Sequence, residues 1–303
     1  MVEPGGVGRR RPSGGRVARR RLVALVLLVA IAAVGVWAAT AAVRSGRDES
    51  SPPPPPAAKA PAPQKTYRIV FPEGFTRAEM AQRITAVDKI ARGKGIHPRL
   101  AAKAYLALTA SSALPGQFAG DHEKRSLEGF LFPATYELFE RDLAARLVSD
   151  QLATFREEWA KVDFRYARSK NLTQYDVLII ASMVEAEVRV PRERPLVAAV
   201  IYNRLHARMP LGIDATIRYG LGIPPTQAIK ESQLQSSSPY NTRNRTGLPP
   251  TPIDNPGLAS IVAAAHPAKV NYLYFVRKAD CKSQFFTASE QAFLNYPRSG
   301  LNC

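Results

Sequence analysis

The chain has 303 residues, 46 % of them hydrophobic, and a formal net charge of +17. That length holds one or two domains with a real core, and the apolar fraction fits a folded protein with a membrane segment. Basic charge suits anionic partners, but no zinc-finger spacing and no RNA-binding aromatic signature is present, so nucleic acid is set aside as a partner.

The charge is unevenly placed. Residues 1–47 hold nine Arg and one acidic residue, about half of the net excess. Residues 1–21 read as a basic tail. Residues 22–43, LVALVLLVAIAAVGVWAATAAV, carry no charge and are long enough to cross a hydrocarbon core of about 30 Å. The arginines before Leu22 predict an N-terminus inside and a C-terminus outside. A cleaved signal peptide is the rival reading, with Ala38-Ala39-Thr40 as its cleavage site. Residues 44–66 follow, with seven prolines between 52 and 63, and predict an extended tether of about 3.1 Å per residue.

From Tyr67 the pattern is that of a folded domain. Tyr67-Arg-Ile-Val-Phe alternates like a strand. Thr76 and Glu79 have capping-box spacing at the start of a helix, with Met80, Ile84 and Val87 recurring at helical intervals. PRLAAKAYLALTASSAL predicts a second helix with Pro98 near its first turn. LEGFLFPATYELF, 127–139, is strand-like and broken at Pro133. LAARLVSDQLATFREEWAKV reads as a helix. Thr173 and Asp176 again show capping spacing, for a helix running to about Val188, and another helix follows Pro195. Residues 210–257 are rich in Gly, Pro, Asn, Ser and Thr, and an irregular region of that length inside a domain is usually functional. GLASIVAAAH and NYLYFV supply a last helix and strand. The two cysteines, Cys281 and Cys303, predict a disulfide if the domain lies outside the membrane. It would close a loop of about 23 residues and contribute roughly 3 kcal/mol.

Two carboxylates interrupt the apolar run IIASMVEAEV. On a 174–188 helix, Leu178, Ala181, Ser182, Glu185 and Val188 share one side. Glu187 falls about 200° away and is expected to be a solvated charge. Glu185 has two readings from the pattern alone. It is either a flank residue that turns to water or pairs with Arg189, or a carboxyl whose apolar surroundings raise its pKa and make it a general acid.

The segments LEGFLFPATYEL, ASMVEAEV, VIYNRLHARMPLGIDATIRYG, SPYNTRNRTGLPPTPIDNPGLASIVAAAHPAK and YLYFV occur in that order over residues 67–295. Together they resemble the MltG (YceG-like) family of membrane-anchored endolytic murein transglycosylases. The resemblance implies an α+β fold behind the transmembrane helix. Residues 67–126 would form a small LysM-like β-α-α(-β) subdomain, and 127–303 a lysozyme-like catalytic one. It implies cleavage of the β-1,4 bond between N-acetylmuramic acid and N-acetylglucosamine, closing a 1,6-anhydro ring, with Glu185 as the one catalytic acid/base. A single carboxyl suffices because the nucleophile is the sugar's own 6-hydroxyl, where ordinary glycosidases need two. No metal and no cofactor is implied.

Further candidates come from the same motifs. Glu128 either orients substrate or Glu185, or pairs with an arginine. Asn203 either bonds sugar or a neighbouring backbone. Asp214 and Thr216 lie in a family turn where Asp214 could instead cap a helix starting near Ala215. Tyr240 and Asn241 are expected to face substrate, whereas His266 reads as a helix-end residue and Leu248-Pro249-Pro250 as scaffold. Arg243, Ser283 and Gln291 stand where the family commonly carries a tyrosine and two histidines. The implied partners are glycan strands, the plasma membrane, and peptidoglycan synthases of elongation or division. A different class of reading is a catalytically inactive wall-binding scaffold.

Overall fold

In the computed structural model the described residues are 26, 29–37, 65–115, 118 and 125–297. The chain divides into two units, Met1–Ala62 and Pro63–Cys303. In the first, residues 29–37 are helical, with exposed side chains. Among the described residues no helix is long and apolar enough to cross a membrane. The rest of the expected 22–43 span, the basic tail, the tether up to Gln64 and Cys303 lie outside the described residues.

The second unit is a mixture of α-helices and two small antiparallel sheets, which bears out the α+β expectation. β1 (Thr66–Val70) pairs with β2 (Thr135–Phe139), Thr66 opposite Phe139 and Val70 opposite Thr135. Both strands alternate exposed and buried residues, as a sheet with one covered face requires, and Tyr67, Ile69, Tyr136 and Leu138 form the covered side. The pairing crosses the boundary expected at 126/127. β2 is also shorter than the strand-like sequence: residues 127–131 turn tightly before Pro133, and the strand begins only after it.

Between the strands lie α1 (Arg77–Gly93) and α2 (Ala102–Ala110). The expected capping box is present at α1: Glu79 N–H donates to Thr76 Oγ1 at 3.2 Å, and Thr76 N–H to Glu79 Oε2 at 2.8 Å. Pro98 is not in the first turn of α2; the helix starts four residues later, at an Ala101 cap that makes no side-chain bond. After β2 come α3 (Ala144–Ala160), the short α4 (Arg165–Ser169) and α5 (Gln174–Glu187). Phe118, Phe130, Phe155, Trp159 and Phe164 stack or meet edge-on with ring centroids 4.6–6.0 Å apart. Trp159 Nε1 donates to Gln174 Oε1 at 2.7 Å, tying α3 to the start of α5.

α5 is the central element. Its own capping box, Thr173 with Asp176, is made in both directions at 3.1 and 2.7 Å. Every residue from Val177 to Val184 is buried, so the helix is not amphipathic with one apolar side; neighbours enclose it all round. A 3-10 turn (Pro191–Glu193) leads to α6 (Arg194–His206). α7 (Asp214–Leu221) and the single turn α8 (Glu231–Leu234) interrupt the irregular 210–257 region. α9 (Leu258–Ala265) packs on α5 and α6, with Tyr202 OH donating to the Ala264 carbonyl at 2.8 Å. β3 (Tyr274–Arg277), β4 (Gln284–Thr287) and α10 (Glu290–Leu294) close the described chain. Cys281, in the turn between β3 and β4, is disulfide-bonded.

Truncating the aromatic core should be costly. Phe155, 1 % exposed and stacked on Trp159, is expected to lose about 3–5 kcal/mol as Phe155→Ala. Urea unfolding of parent and variant at one pH checks this.

Candidate active site

Glu185 sits in the last turn of α5, where the buried helix reaches the surface. Its side chain is 8 % exposed. Gly257 N–H donates to Oε2 at 3.2 Å, and Arg194 Nη2 lies 3.5 Å from Oε1. Arg194 is itself held by Nε to Ser260 Oγ at 3.0 Å and reaches toward Glu73 Oε2 at 3.8 Å. Burial first, and then the charge of Glu185, push the Glu73 carboxyl up, while Arg194 opposes them. Gly257 lies against the Glu73 carboxyl: a Cβ there would have to turn that side chain aside. The apolar run thus ends in a dehydrated carboxylate with a backbone donor and a guanidinium beside it, the compensation that burying a carboxylate requires.

Glu128 is 2 % exposed and fully engaged. Its Oε1 accepts from Arg77 N–H at 2.9 Å and Asn255 Nδ2 at 2.8 Å, and its Oε2 accepts from Tyr219 OH at 3.1 Å. Burial raises its carboxyl to about 7 against those hydrogen bonds and the charge of Arg77. The arginine that it meets donates from its backbone, at the first residue of α1; the guanidinium turns to Thr109 Oγ1 and the Leu106 carbonyl. Neither Asn255 nor Tyr219 stands out in the sequence, yet both hold this carboxyl.

The other candidates are placed as follows. Asn203 spends its amide on the carbonyls of Val270 and Tyr272, both at 2.9 Å. It lines a 560 Å³ hollow with Tyr166, Tyr202 and Tyr272 that does not include Glu185. Thr216 is buried, donates to the Ile213 carbonyl at 2.7 Å and meets Thr242 Oγ1 at 2.9 Å. Asn241 is buried, with Nδ2 on the carbonyls of Leu234 and Ser236 at 2.9 and 2.8 Å. Asp214 is the first residue of α7, not its cap; it pairs with Arg243 at 2.6 Å, across half-exposed surface. Tyr240 is half-buried, its hydroxyl 2.8 Å from Thr251 Oγ1 and its ring edge-on to Tyr219 at 5.2 Å. Tyr240 therefore connects through Tyr219 to Glu128, whereas Asn203, Thr216 and Asn241 tie backbone together.

Glu187 departs from the sequence reading. Its side chain is half-buried, and its carboxyl is pushed up to about 7 by burial first and then by the charge of Asp214. Arg277, the Ala215 N–H and Arg243 pull the other way. The helical wheel points Glu187 away from Glu185, but α7 and β3, both distant in sequence, fill that direction.

The YceG-like family model matches residues 55–298 of the chain. Over 157 residues, 52 % of this chain and 43 % of the relative, the sequence is 35 % identical to a Bacillus subtilis (strain 168) protein named endolytic murein transglycosylase. It is 32 % identical over 227 residues to a Streptococcus pneumoniae (serotype 2, strain D39) protein of the same name, covering 69 % of this chain and 40 % of that one. The chain spans about two fifths of the length of these curated relatives. A crystal structure of a YceG-like protein from Listeria monocytogenes superposes with a TM-score of 0.56 at 28 % identity, covering 74 % of each chain.

A raised carboxyl pKa in the folded state has a definite sign. Glu187 keeps its proton above 4.5, where the unfolded chain has lost it, so the stability it contributes is whole at low pH and is lost as pH rises through about 7. Glu187→Gln, which cannot ionise, should flatten that loss. Urea unfolding at pH 4, pH 5.5 and pH 8 is expected to show the variant gaining on the parent progressively from about pH 4.5 and no further above about 7.

Proposed function

The chain belongs to the YceG-like family, and from that membership we propose that it is a peptidoglycan lytic transglycosylase with Glu185 as its acid/base. The observation that carries this reading is the state of Glu185: 8 % exposed, bonded to the Gly257 N–H and beside Arg194. The substrate is a glycan strand of peptidoglycan, cut within its length between N-acetylmuramic acid and N-acetylglucosamine. Glu185 donates a proton to the leaving oxygen as the C1–O4 bond breaks. The muramyl 6-hydroxyl then bonds to C1, and its proton passes to Glu185. Attack from within the same sugar needs no second carboxylate to activate water. Tyr240 is read as a residue that orients the strand, with Glu128 behind it holding Tyr219 in place. The part up to about residue 126 is read as LysM-like and the remainder as lysozyme-like. The basic tail and the 22–43 span anchor the chain in the plasma membrane with the folded unit outside, where a bridge between Cys281 and Cys303 persists and nascent strands and their synthases are close by.

Glu185→Gln keeps size and removes the transferable proton. It is expected to lower the rate of 1,6-anhydro-end formation from uncrosslinked glycan strands by about 10²–10⁴, with an unchanged melting temperature or a higher one. A Glu185→Gln protein that melts normally and cuts at the parent rate would sink the single-acid mechanism. A parent that binds strands and releases no ends would point to the scaffold reading. Anchoring has its own check: a reporter fused after Cys303 should be active only outside the cytoplasm.

A further inference from the structure

Beside Glu185 lies a second carboxyl that the mechanism above does not use. Asp254 is 4 % exposed, and its Oδ1 has no hydrogen-bond partner. It borders the same glycine as Glu185. A Cβ built on Gly74, whose φ is +77°, would meet Glu185 Cγ at 3.5 Å and Asp254 Oδ2 at 3.8 Å. Glu185 Cγ and Asp254 Oδ2 therefore flank one small gap, no farther apart than those two distances laid end to end.

A buried carboxyl with an idle oxygen is a liability that packing alone does not justify, since an apolar or amide residue would fill the space more cheaply. The charged groups facing it make ionisation worse. Glu185 on α5, Glu128 before β2 and Glu79 on α1 are all acidic, and burial together with their charges drives the Asp254 carboxyl well up. Glu73 adds another acid near Glu185, and Arg194 leans on Glu185 and Glu73. The charge of Glu185 makes the proton of Asp254 harder to remove. Within the pair the asymmetry is plain: Glu185 has the Gly257 N–H and Arg194 to stabilise its ionised form, and Asp254 has neither.

We propose that Asp254 and Glu185 form a dyad that holds one proton between them, with Asp254 storing the proton that Glu185 delivers. This rests on the reading of Glu185 as the acid/base. In the cycle the proton moves from Asp254 to Glu185 and on to the glycosidic oxygen as C1–O4 breaks. The proton released by the 6-hydroxyl as C1–O6 forms returns to Glu185 and then to Asp254. No proton is gained or lost overall, and Asp254 acts through Glu185 without touching the sugar.

The test compares the full-length parent, Asp254→Asn and Glu185→Gln, in detergent, for anhydro-end formation and for thermal melting between pH 4 and pH 8. Asp254→Asn is expected to be about 10- to 100-fold slower than the parent at pH 7. The deficit should shrink at lower pH, where solvent protonates Glu185 directly. Its melting temperature should gain on the parent as pH rises above about 4, because the unfolded aspartate ionises there and the buried one does not. Rates equal to the parent at pH 7, a deficit of the same size at every pH, or a melting difference independent of pH would each overturn the dyad. If Asp254→Asn does not fold, Asp254→Ser is put through the same comparison. Failure of the transglycosylase reading is separable: it appears as no anhydro ends from the parent, or as a fully active Glu185→Gln. The melting comparison needs no substrate, and it still decides whether Asp254 holds its proton.

Discussion

The arrangement hangs on one carboxamide. Asn255 is fully buried, and it uses its whole hydrogen-bonding capacity. Oδ1 accepts from the Gly129 and Leu131 N–H groups, both at 2.9 Å, and Nδ2 donates to the Phe75 carbonyl and Glu128 Oε1, both at 2.8 Å. Its backbone exchanges bonds with the same strip: Gly74 N–H to the Asn255 carbonyl at 3.0 Å, and Asn255 N–H to the Phe75 carbonyl at 3.1 Å. Three segments up to 180 positions apart are thus fastened at one point. Asp254 precedes that point, and Gly257, the donor to Glu185, follows it by two residues. Losing the Oδ1 half would leave two buried backbone N–H groups unsatisfied, at about 1–3 kcal/mol each, and losing the Nδ2 half would take a donor from Glu128. Either loss would also release the loop that sets the surroundings of Glu185.

A chain with net charge +17 gathers its acids here, and each is reconciled with low dielectric in a different way. Glu128 has three donors and is part of the framework. Glu73 keeps 48 % of its side-chain surface in water. Glu185 has one backbone donor and a guanidinium at arm's length. Asp254 has no such help. The gradient runs from an engaged structural carboxyl to an uncompensated one, and Glu185 lies between them, next to solvent. Glu185 thus lacks the full set of partners that fixes Glu128.

Short-range physics was legible in the sequence. Both capping boxes and the alternation of β1 depend on residues at most four apart. The errors are long-range. A helical wheel sends Glu187 to water because it contains one helix, but Asp214, Arg277 and Arg243 approach it from positions 27 to 90 residues downstream. The all-round burial of α5 erases the period that an amphipathic reading relies on. Asn255 and Tyr219 carry no spacing signature, and their importance comes from which buried groups the fold delivers to them. Asp254 is equally silent in sequence, since an aspartate after a Pro-Ile pair reads as a turn residue until its burial is known.

The irregular 210–257 region shows how motif residues can shape a site without being chemical groups in it. Thr216 meets Thr242, the Gly212 N–H donates to the Thr242 carbonyl, and Asn241 gathers the carbonyls of Leu234 and Ser236. Side chains stand in for the ladder bonds that a loop lacks. Arg243 closes the same loop by an ion pair to Asp214. Gly220 leaves room for what this fixes: a Cβ there would lie 2.5 Å from Tyr240 Cβ and 2.9 Å from Ser238 Oγ. Tyr240 can then rest on Tyr219, Tyr219 on Glu128, and Glu128 on Asn255. The loop is fastened by these bonds where it touches the framework, so Gly220 and Asn241 bear on the site through the position of this wall and not as reacting groups.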